Sequence, residues 1–484
     1  MIADELTYRI HTAMGLTPTE EQEQAISVFC QFMIQPLTTH HSPLTTHHSP
    51  LTSNPVMLLR GSAGTGKTTL AAAMVRAMQQ LGQKLVLLAP TGRAAKVFSQ
   101  YSGTPAYTIH RRIYRQKSAA DVTSGFQLNF NTAQDTLFMV DEASMISNGA
   151  RSMEQGASEF GTGRLLDDLI EYVYGGRNCR LLLIGDLAQL PPVGEEQSPA
   201  LMADVLRSYY LHVYETDLNQ VLRQSQESGI LWNATQIRWR AQAVIRFKGF
   251  PDIHLVRGDE LIEQLSNSYS QVGMDETIVI TRSNKRANIY NNGIRNMVLD
   301  REEELSHGDM LMIVKNNYYW WKEEPSAFIA NGDRAVVRRV RREQELYGFR
   351  FAEVTLTFPD YDDFELTATV LLDTLSSEAP ALTREQQTQL YESVLADYED
   401  IRFKSERMKK LKEDKYYNAL QVKYAYAVTC HKAQGGQWAH VYVDQGYMTD
   451  DMMTPEYYHW LYTAFTRATE HLYLVNWPES QSDN

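Results

Sequence analysis

Cysteine is almost missing from this chain. Cys30, Cys179 and Cys430 are the only three, they lie far apart, and no CxxC pair occurs. They offer neither a disulfide framework nor a zinc site. Cys430 beside His431 is not expected to form a thiol–base pair, because neighbours in a strand point to opposite faces. Long apolar runs are missing too. The longest fall well short of the roughly 20 residues that cross a bilayer, and no charged-then-apolar leader opens the chain. A cytoplasmic protein with no membrane partner is the expectation. Excess positive charge is absent as well: 46 Lys and Arg stand against 59 Asp and Glu, for a net charge of −13. That balance counts against a nucleic-acid partner only as a sum, since a groove needs no more than a local basic lining. The acids gather in stretches such as Asp360–Glu365 and Glu302–Glu304.

What remains is ordinary for a globular protein, with 43% hydrophobic and 22% charged residues. The 484 residues suit roughly three domains. One stretch is of low complexity. "PLTTHHSPLTTHHSPLTSN", residues 36–54, repeats a seven-residue unit. Its prolines block a helix, and its Ser, Thr and His content cannot build a core. Its histidine pairs (His40, His41, His47 and His48) are of a type that can hold a metal, but the stretch reads as a flexible inserted loop, poorly ordered and dispensable.

"VMLLRGSAGTGKTTLAAAMVRAM" follows. An apolar strand over residues 56–59 runs into Gly61, Ser62, Ala63, Gly64, Thr65, Gly66, Lys67, Thr68 and Thr69, and then into an alanine-rich helix. This is GxxxxGK[ST] in its required strand–loop–helix setting. The glycines turn backbone N–H groups inward around phosphates, and the helix N-terminus adds positive potential. Lys67 reaches the β- and γ-phosphates of ATP, and the Thr68 hydroxyl ligates Mg²⁺. "TLFMVDEASMIS" (136–147) delivers Asp141 and Glu142 at the end of a buried strand. Asp141 is the expected Mg²⁺ partner, through water, because Mg²⁺ keeps much of its hydration. Glu142 is placed to take a proton from the attacking water.

"LLLIGDLAQLPPVG" (181–194) reads as a third strand of the same parallel sheet, buried on both faces. Ligands in such sheets lie at the carboxyl ends of the strands. Gln189 is therefore expected to sense the γ-phosphate and orient the attacking water. Asp186 is expected to hold that loop, and Pro191-Pro192 to fix the exit path. Beyond this nucleotide site, no carboxylate cluster of the kind a nuclease needs is visible.

The GSAGTGKTT, VDEAS and GDLAQLPPVG segments together resemble superfamily 1B helicases, the group of RecD-like, Pif-type and phage Dda motors. The resemblance runs from about residue 16 to residue 475. It implies an α/β fold of two RecA-like parallel-sheet motor domains, with a small SH3-like β-barrel insertion and a short hairpin insertion. The expected limits are 1–106 and 135–212 for the first motor domain, 107–134 for a wedge hairpin, 213–300 and 421–484 for the second motor domain, and 301–420 for the barrel with a helical extension. Alternation and Gly-Asp turns after residue 305 agree with a barrel. Within it, Tyr318, Tyr319, Trp320 and Trp321 either fill the core or stack on bases. A basic run, Arg402–Lys412, either touches nucleic acid or is simply solvated.

The same resemblance places further residues. In "LTPTEEQEQAI", Gln22 stands where the family reads adenine. Pro90, Thr91, Gly92, Arg93 and Lys96, then Thr108 and His110, match motifs that grip a single strand by its phosphates. Thr429, His431 and Lys432 match the coupling motif, with Gln434, Gly435 and the nucleotide-side Gly436 following. Arg223 and Arg467 match arginines that reach the γ-phosphate. The implied activity is ATP-dependent unwinding by a monomeric motor on single-stranded DNA and duplex junctions, travelling 5′-to-3′, with repair or replication proteins as partners. An RNA helicase or RNA–DNA hybrid-unwinding motor of the same superfamily is the alternative, and a non-enzymatic, regulatory P-loop module that recruits partners is a second.

Overall fold

The computed structural model describes residues 2–35, 54–116, 126–149, 161–221, 227–239, 244–321 and 328–483. The chain divides into two compact units. The first takes the described parts of 1–116 and 125–241, together with 454–463. The second takes those of 242–453 and 464–484.

The first unit is built on a six-stranded parallel sheet. Its spatial order is Ala106–Thr108, Lys84–Ala89, Thr136–Val140, Arg180–Gly185, Pro55–Gly61 and His212–Leu218. Leu181, Leu182, Leu183 and Ile184 are all fully buried. The third strand is thus covered on both faces, as its unbroken apolar run requires. It lies between the strand that enters the glycine loop and the strand that delivers Asp141, in register Leu58 to Leu183 and Val140 to Leu183. On one face, Ala71, Ala73 and Ala77 of the helix Lys67–Gln80 let that helix sit close to the sheet. Leu6, Ile10, Phe29 and Phe32, from the helices Ile2–Met14 and Glu20–Ile34, complete this layer. Burying each such large side chain contributes about 1.5–3 kcal/mol.

The second unit holds a five-stranded parallel sheet in the order Ile253–Val256, Ala468–Val475, Trp438–Asp444, Thr277–Thr281 and Ala427–Thr429. It also holds a closed five-stranded barrel: Met310–Ile313, Arg334–Leu346, Phe349–Phe358, Phe364–Leu371 and Leu420–Tyr424. Two helices, Arg384–Ala396 and Lys404–Lys412, intervene before the last barrel strand. Trp321 packs inside this unit, stacked on Phe364 at 4.5 Å and 12°. The Trp320 indole N–H donates to the Asn418 carbonyl. Lys404, Lys409 and Lys410 of the basic run are exposed. A short antiparallel pair, Tyr114–Gln116 with Phe126–Leu128, stands where a hairpin is expected, and residues 117–125 between them lie outside the described residues.

Several boundaries differ from expectation, and residues 454–463, expected in the second motor domain, fall in the first unit. The strand His212–Leu218 pairs along its whole length with the glycine-loop strand, and the helix Gly229–Arg238 also belongs to the first unit. The first unit therefore continues past residue 212. The strand Leu420–Tyr424 closes the barrel, so the second sheet resumes at Ala427 instead of at 421. Cys430 opens a short helix, Cys430–Ala433, and is not in a strand. Its thiol is completely buried, which pushes the pKa up to about 12.

Candidate active site

Three neighbouring strands of the first sheet end side by side, and each end carries chemistry. The first enters the glycine loop. Gly64 and Gly66 have φ of +77° and +80°, a left-handed region that other residues adopt at a cost. Gly61 needs its missing side chain for another reason. A Cβ there would lie 2.8 Å from Lys67 Cγ and 2.9 Å from Thr65 Oγ1. The loop is braced from within: Thr65 Oγ1 donates to the Ser62 carbonyl at 2.8 Å, and Lys67 Nζ donates to the same carbonyl at 3.2 Å. Ser62 N–H donates to Leu218 O at 3.2 Å, which ties the loop to the adjacent strand end. The helix Lys67–Gln80 starts directly behind it, so its free N–H groups face the position where phosphate would bind.

The second strand end presents the acid pair. Glu142 sits at φ +52°, a strained value for a residue with a side chain, and its N–H donates to Asp141 Oδ1 at 2.8 Å. Burial raises the Asp141 pKa to about 7. Repulsion from Glu142 adds to the rise, while the Glu142 N–H and Lys67 oppose it. Glu142 Oε2 is buried and has no hydrogen-bond partner among the described residues. An orphaned carboxylate oxygen beside a destabilised carboxylate is a donor set suited to a hard cation and its bound water. Thr68, half-buried at the start of the helix, supplies the hydroxyl. These residues fit Mg²⁺.

The third strand end carries Asp186 and Gln189. Both are buried. Asp186 Oδ1 accepts from Ala188 N–H at 2.9 Å, and Asp186 O accepts from Gln189 N–H at 3.3 Å, which closes a tight turn. Gln189 Oε1 is buried without a partner among the described residues. Three residues that sequence reasoning passed over complete this turn. Tyr462 donates to Asp186 Oδ2 at 2.6 Å and accepts from Ala63 N–H of the glycine loop at 2.8 Å. His459 Nδ1 lies 2.9 Å from Ala188 O. Thr463 Oγ1 accepts from Leu190 N–H at 2.8 Å. A cavity of about 280 Å³ borders Gly61, Ser62, Asp186, Ala188, His459 and Tyr462.

Gln22 reaches this loop too. Its Nε2 donates to Thr65 O at 3.0 Å, and its Oε1 accepts from Thr19 N–H in a capping box. Its acceptor and one donor are therefore committed within the protein. Thr91 and Thr108 are helix N-caps: their hydroxyl oxygens accept from Ala94 N–H and Arg111 N–H. Each stands where a sheet strand gives way to a helix. The helix starting at Gly92 also carries Arg93 and Lys96, while His110 lies in the helix after Thr108. Thr429 is likewise an N-cap, without a side-chain cap bond. Lys432 Nζ donates to Asn331 Oδ1 at 3.2 Å. In the second unit, buried Arg467 donates to Gly436 O at 3.0 Å, which brings two expected nucleotide residues together. Arg223 and the histidine repeat lie outside the described residues.

An AAA domain matches residues 46–244, and a UvrD-like helicase C-terminal domain matches residues 424–475. The two matches agree with the resemblance to superfamily 1B helicases. The ATP-dependent RecD2 DNA helicase of Deinococcus radiodurans is 33% identical over 139 residues, 28% of this chain and 16% of that protein. The ATP-dependent DNA helicase dda of Enterobacteria phage T4 is 25% identical over 281 residues, covering 53% of this chain and 55% of dda. The chain thus spans only a fraction of these relatives' length. A Bacteroides Pif1 helicase solved with ADP-AlF3 and ssDNA aligns over 96% of this chain and 93% of its own, at 15% identity and a TM-score of 0.45. Among the described residues no helix is long and apolar enough to cross a membrane.

Proposed function

We propose that this chain is a superfamily 1B helicase, an ATP-driven motor that tracks along single-stranded DNA, 5′-to-3′, and unwinds duplex DNA at junctions. The observation that carries the reading is the trio of adjacent strand ends. They present a phosphate loop, an acid with an orphaned oxygen and an amide with an orphaned oxygen on one edge of one sheet. Structural roles rarely leave buried polar atoms unmatched, so two at one sheet edge favour a reaction.

In this reading the loop amides and Lys67 hold the phosphates of ATP. Glu142 Oε2 accepts the proton of the attacking water, and Gln189 orients that water. Thr68 and Asp141 would hold Mg²⁺, which would supply charge stabilisation on the phosphate oxygens. Arg223 and Arg467 add positive charge to the transferring group, a contribution of roughly 10³–10⁵ in rate. Gln22 gives up its bond to Thr65 O when it reads adenine. The Thr91, Thr108 and Thr429 strand-to-helix junctions meet backbone phosphates, and Arg93, Lys96, His110, His431 and Lys432 add donors and charge around them. The insertion expected at residues 107–134, with its paired segments Tyr114–Gln116 and Phe126–Leu128, serves as the wedge.

The test is ATP hydrolysis with and without single-stranded DNA, for the native chain and for Lys67→Ala. Strong stimulation that vanishes in the variant is expected. Equal rates with and without DNA would sink the DNA-motor reading, and stimulation by RNA alone would move the assignment to an RNA helicase.

A further inference from the structure

The mechanism above leaves one helix face unused. His459, Tyr462 and Thr463 stand at i, i+3 and i+4 on the helix Pro455–Phe465 and so share one side of it. Each meets a different group of the turn after the third strand: the Ala188 carbonyl, the Asp186 carboxylate and the Leu190 N–H. Tyr462 does more than its neighbours. Its hydroxyl donates to Asp186 Oδ2 and accepts Ala63 N–H, so one oxygen joins the glycine loop to the acid that shapes the Gln189 turn. Both side chains are buried, Tyr462 at 1% and Asp186 at 3% exposure. Water cannot readily replace either bond.

We propose that Tyr462 is a positioning residue that sets the Gln189 turn in register with the glycine loop, so that placement of the attacking water depends on a single hydroxyl. The proposal rests on the ATPase reading above and adds a residue to it. Positioning of this kind has a large effect on rate, because a displacement of about 1 Å at a catalytic group costs on the order of 10². Tyr462→Phe keeps the ring and its packing, removes both bonds, and leaves Asp186 Oδ2 buried without its donor. The turn then keeps its shape through Ala188 N–H but loses its link to Ala63.

The experiment compares native protein, Tyr462→Phe, Asp186→Asn and the double variant. It measures kcat and KM for ATP at saturating single-stranded DNA, together with Kd for a fluorescent ADP analogue. The expected result is a kcat at least tenfold lower in Tyr462→Phe, with ADP-analogue Kd within twofold of native. The double variant should be no slower than the slower single variant, since both changes break the same bond. A Tyr462→Phe kcat within twofold of native overturns the proposal. So do losses that multiply in the double variant, or a joint collapse of kcat and ADP-analogue binding, which would mark a folding role. A native chain with no ATPase at all would instead overturn the motor reading, and this proposal with it.

Discussion

Two buried acids of the second unit and two strand-end residues of the first are held in opposite ways. In the second unit, Asp309 and Asp444 are saturated. Asp309, fully buried, receives Arg295 through Nε and Nη2 at 3.0 Å, Arg301 Nη1 at 2.7 Å, Tyr426 Oη at 2.8 Å and Ser306 N–H at 2.7 Å. Asp444 is served by Arg286, Tyr290 and Gly446 N–H. In the first unit, at the ends of the three central strands, Glu142 and Gln189 each bury an oxygen that nothing in the described protein answers. A saturated acid holds architecture, because its partners consume its capacity. An unsaturated one is costly, and a fold retains it where a ligand supplies the missing bond.

That contrast can be broken from either side. The largest effect is expected for Glu142→Gln. ATP hydrolysis falls on the order of 10²–10⁴-fold, while the melting temperature holds or rises, because an unmatched buried carboxylate is gone. Rate assays paired with calorimetry check this, and a large drop in stability would put Glu142 among the architectural acids. Asp309→Ala should do the reverse. It strands Arg295 and costs about 3–5 kcal/mol, lowering the transition of the second unit on the order of 10 °C while nucleotide binding by the first unit persists. Next comes Gly61→Ala. Its Cβ would meet Lys67 Cγ at 2.8 Å and Thr65 Oγ1 at 2.9 Å, overpacking worth about 1–3 kcal/mol. The KM for ATP should rise about tenfold or more.

A smaller effect comes from pH. His254 and His440 flank His471 on the second sheet, with ring centroids 5.1 Å apart in each pair. Burial first, and His471 second, hold both below the ordinary histidine pKa. The unfolded chain therefore takes up protons at higher pH than the folded one. Stability is full above about pH 6.5 and declines as pH falls through the lowered values. Melting curves between pH 5 and 8 should show the second unit softening on the acid side, and His471→Gln should reduce that slope. Smallest of all, Lys409→Gln with Lys410→Gln on the exposed helix Lys404–Lys412 should change stability by less than about 0.5 kcal/mol. A clear weakening of DNA binding by that pair would show the helix to be part of the nucleic-acid track.

Much of the site was legible because its parts are contiguous in the chain. A phosphate needs consecutive amides, so GSAGTGKTT declares itself, and an acid pair or a Gly-Asp turn at the end of a buried strand is a local pattern. The limits of the first unit were not legible. "HVYETDL" forms an outer strand with alternating exposure, and nothing local says which sheet it joins. Tyr462 was missed for a different reason: it lies 276 residues from Asp186, and a lone tyrosine ahead of an arginine motif predicts no partner. The Gln22 bonds were half legible, since Thr19 and Gln22 have capping-box spacing, whereas the reach to Thr65 O is long-range. The strand expected at Cys430 was not legible as ending there, because a one-turn helix begins where the strand was expected to run on.

If the strand-end trio drives a motor, ATP should displace a strand from a duplex bearing a 5′ single-stranded DNA tail. A duplex with a 3′ tail should stay intact, and neither should separate without ATP. Hydrolysis of ATP with no displacement from either substrate would contradict the motor reading.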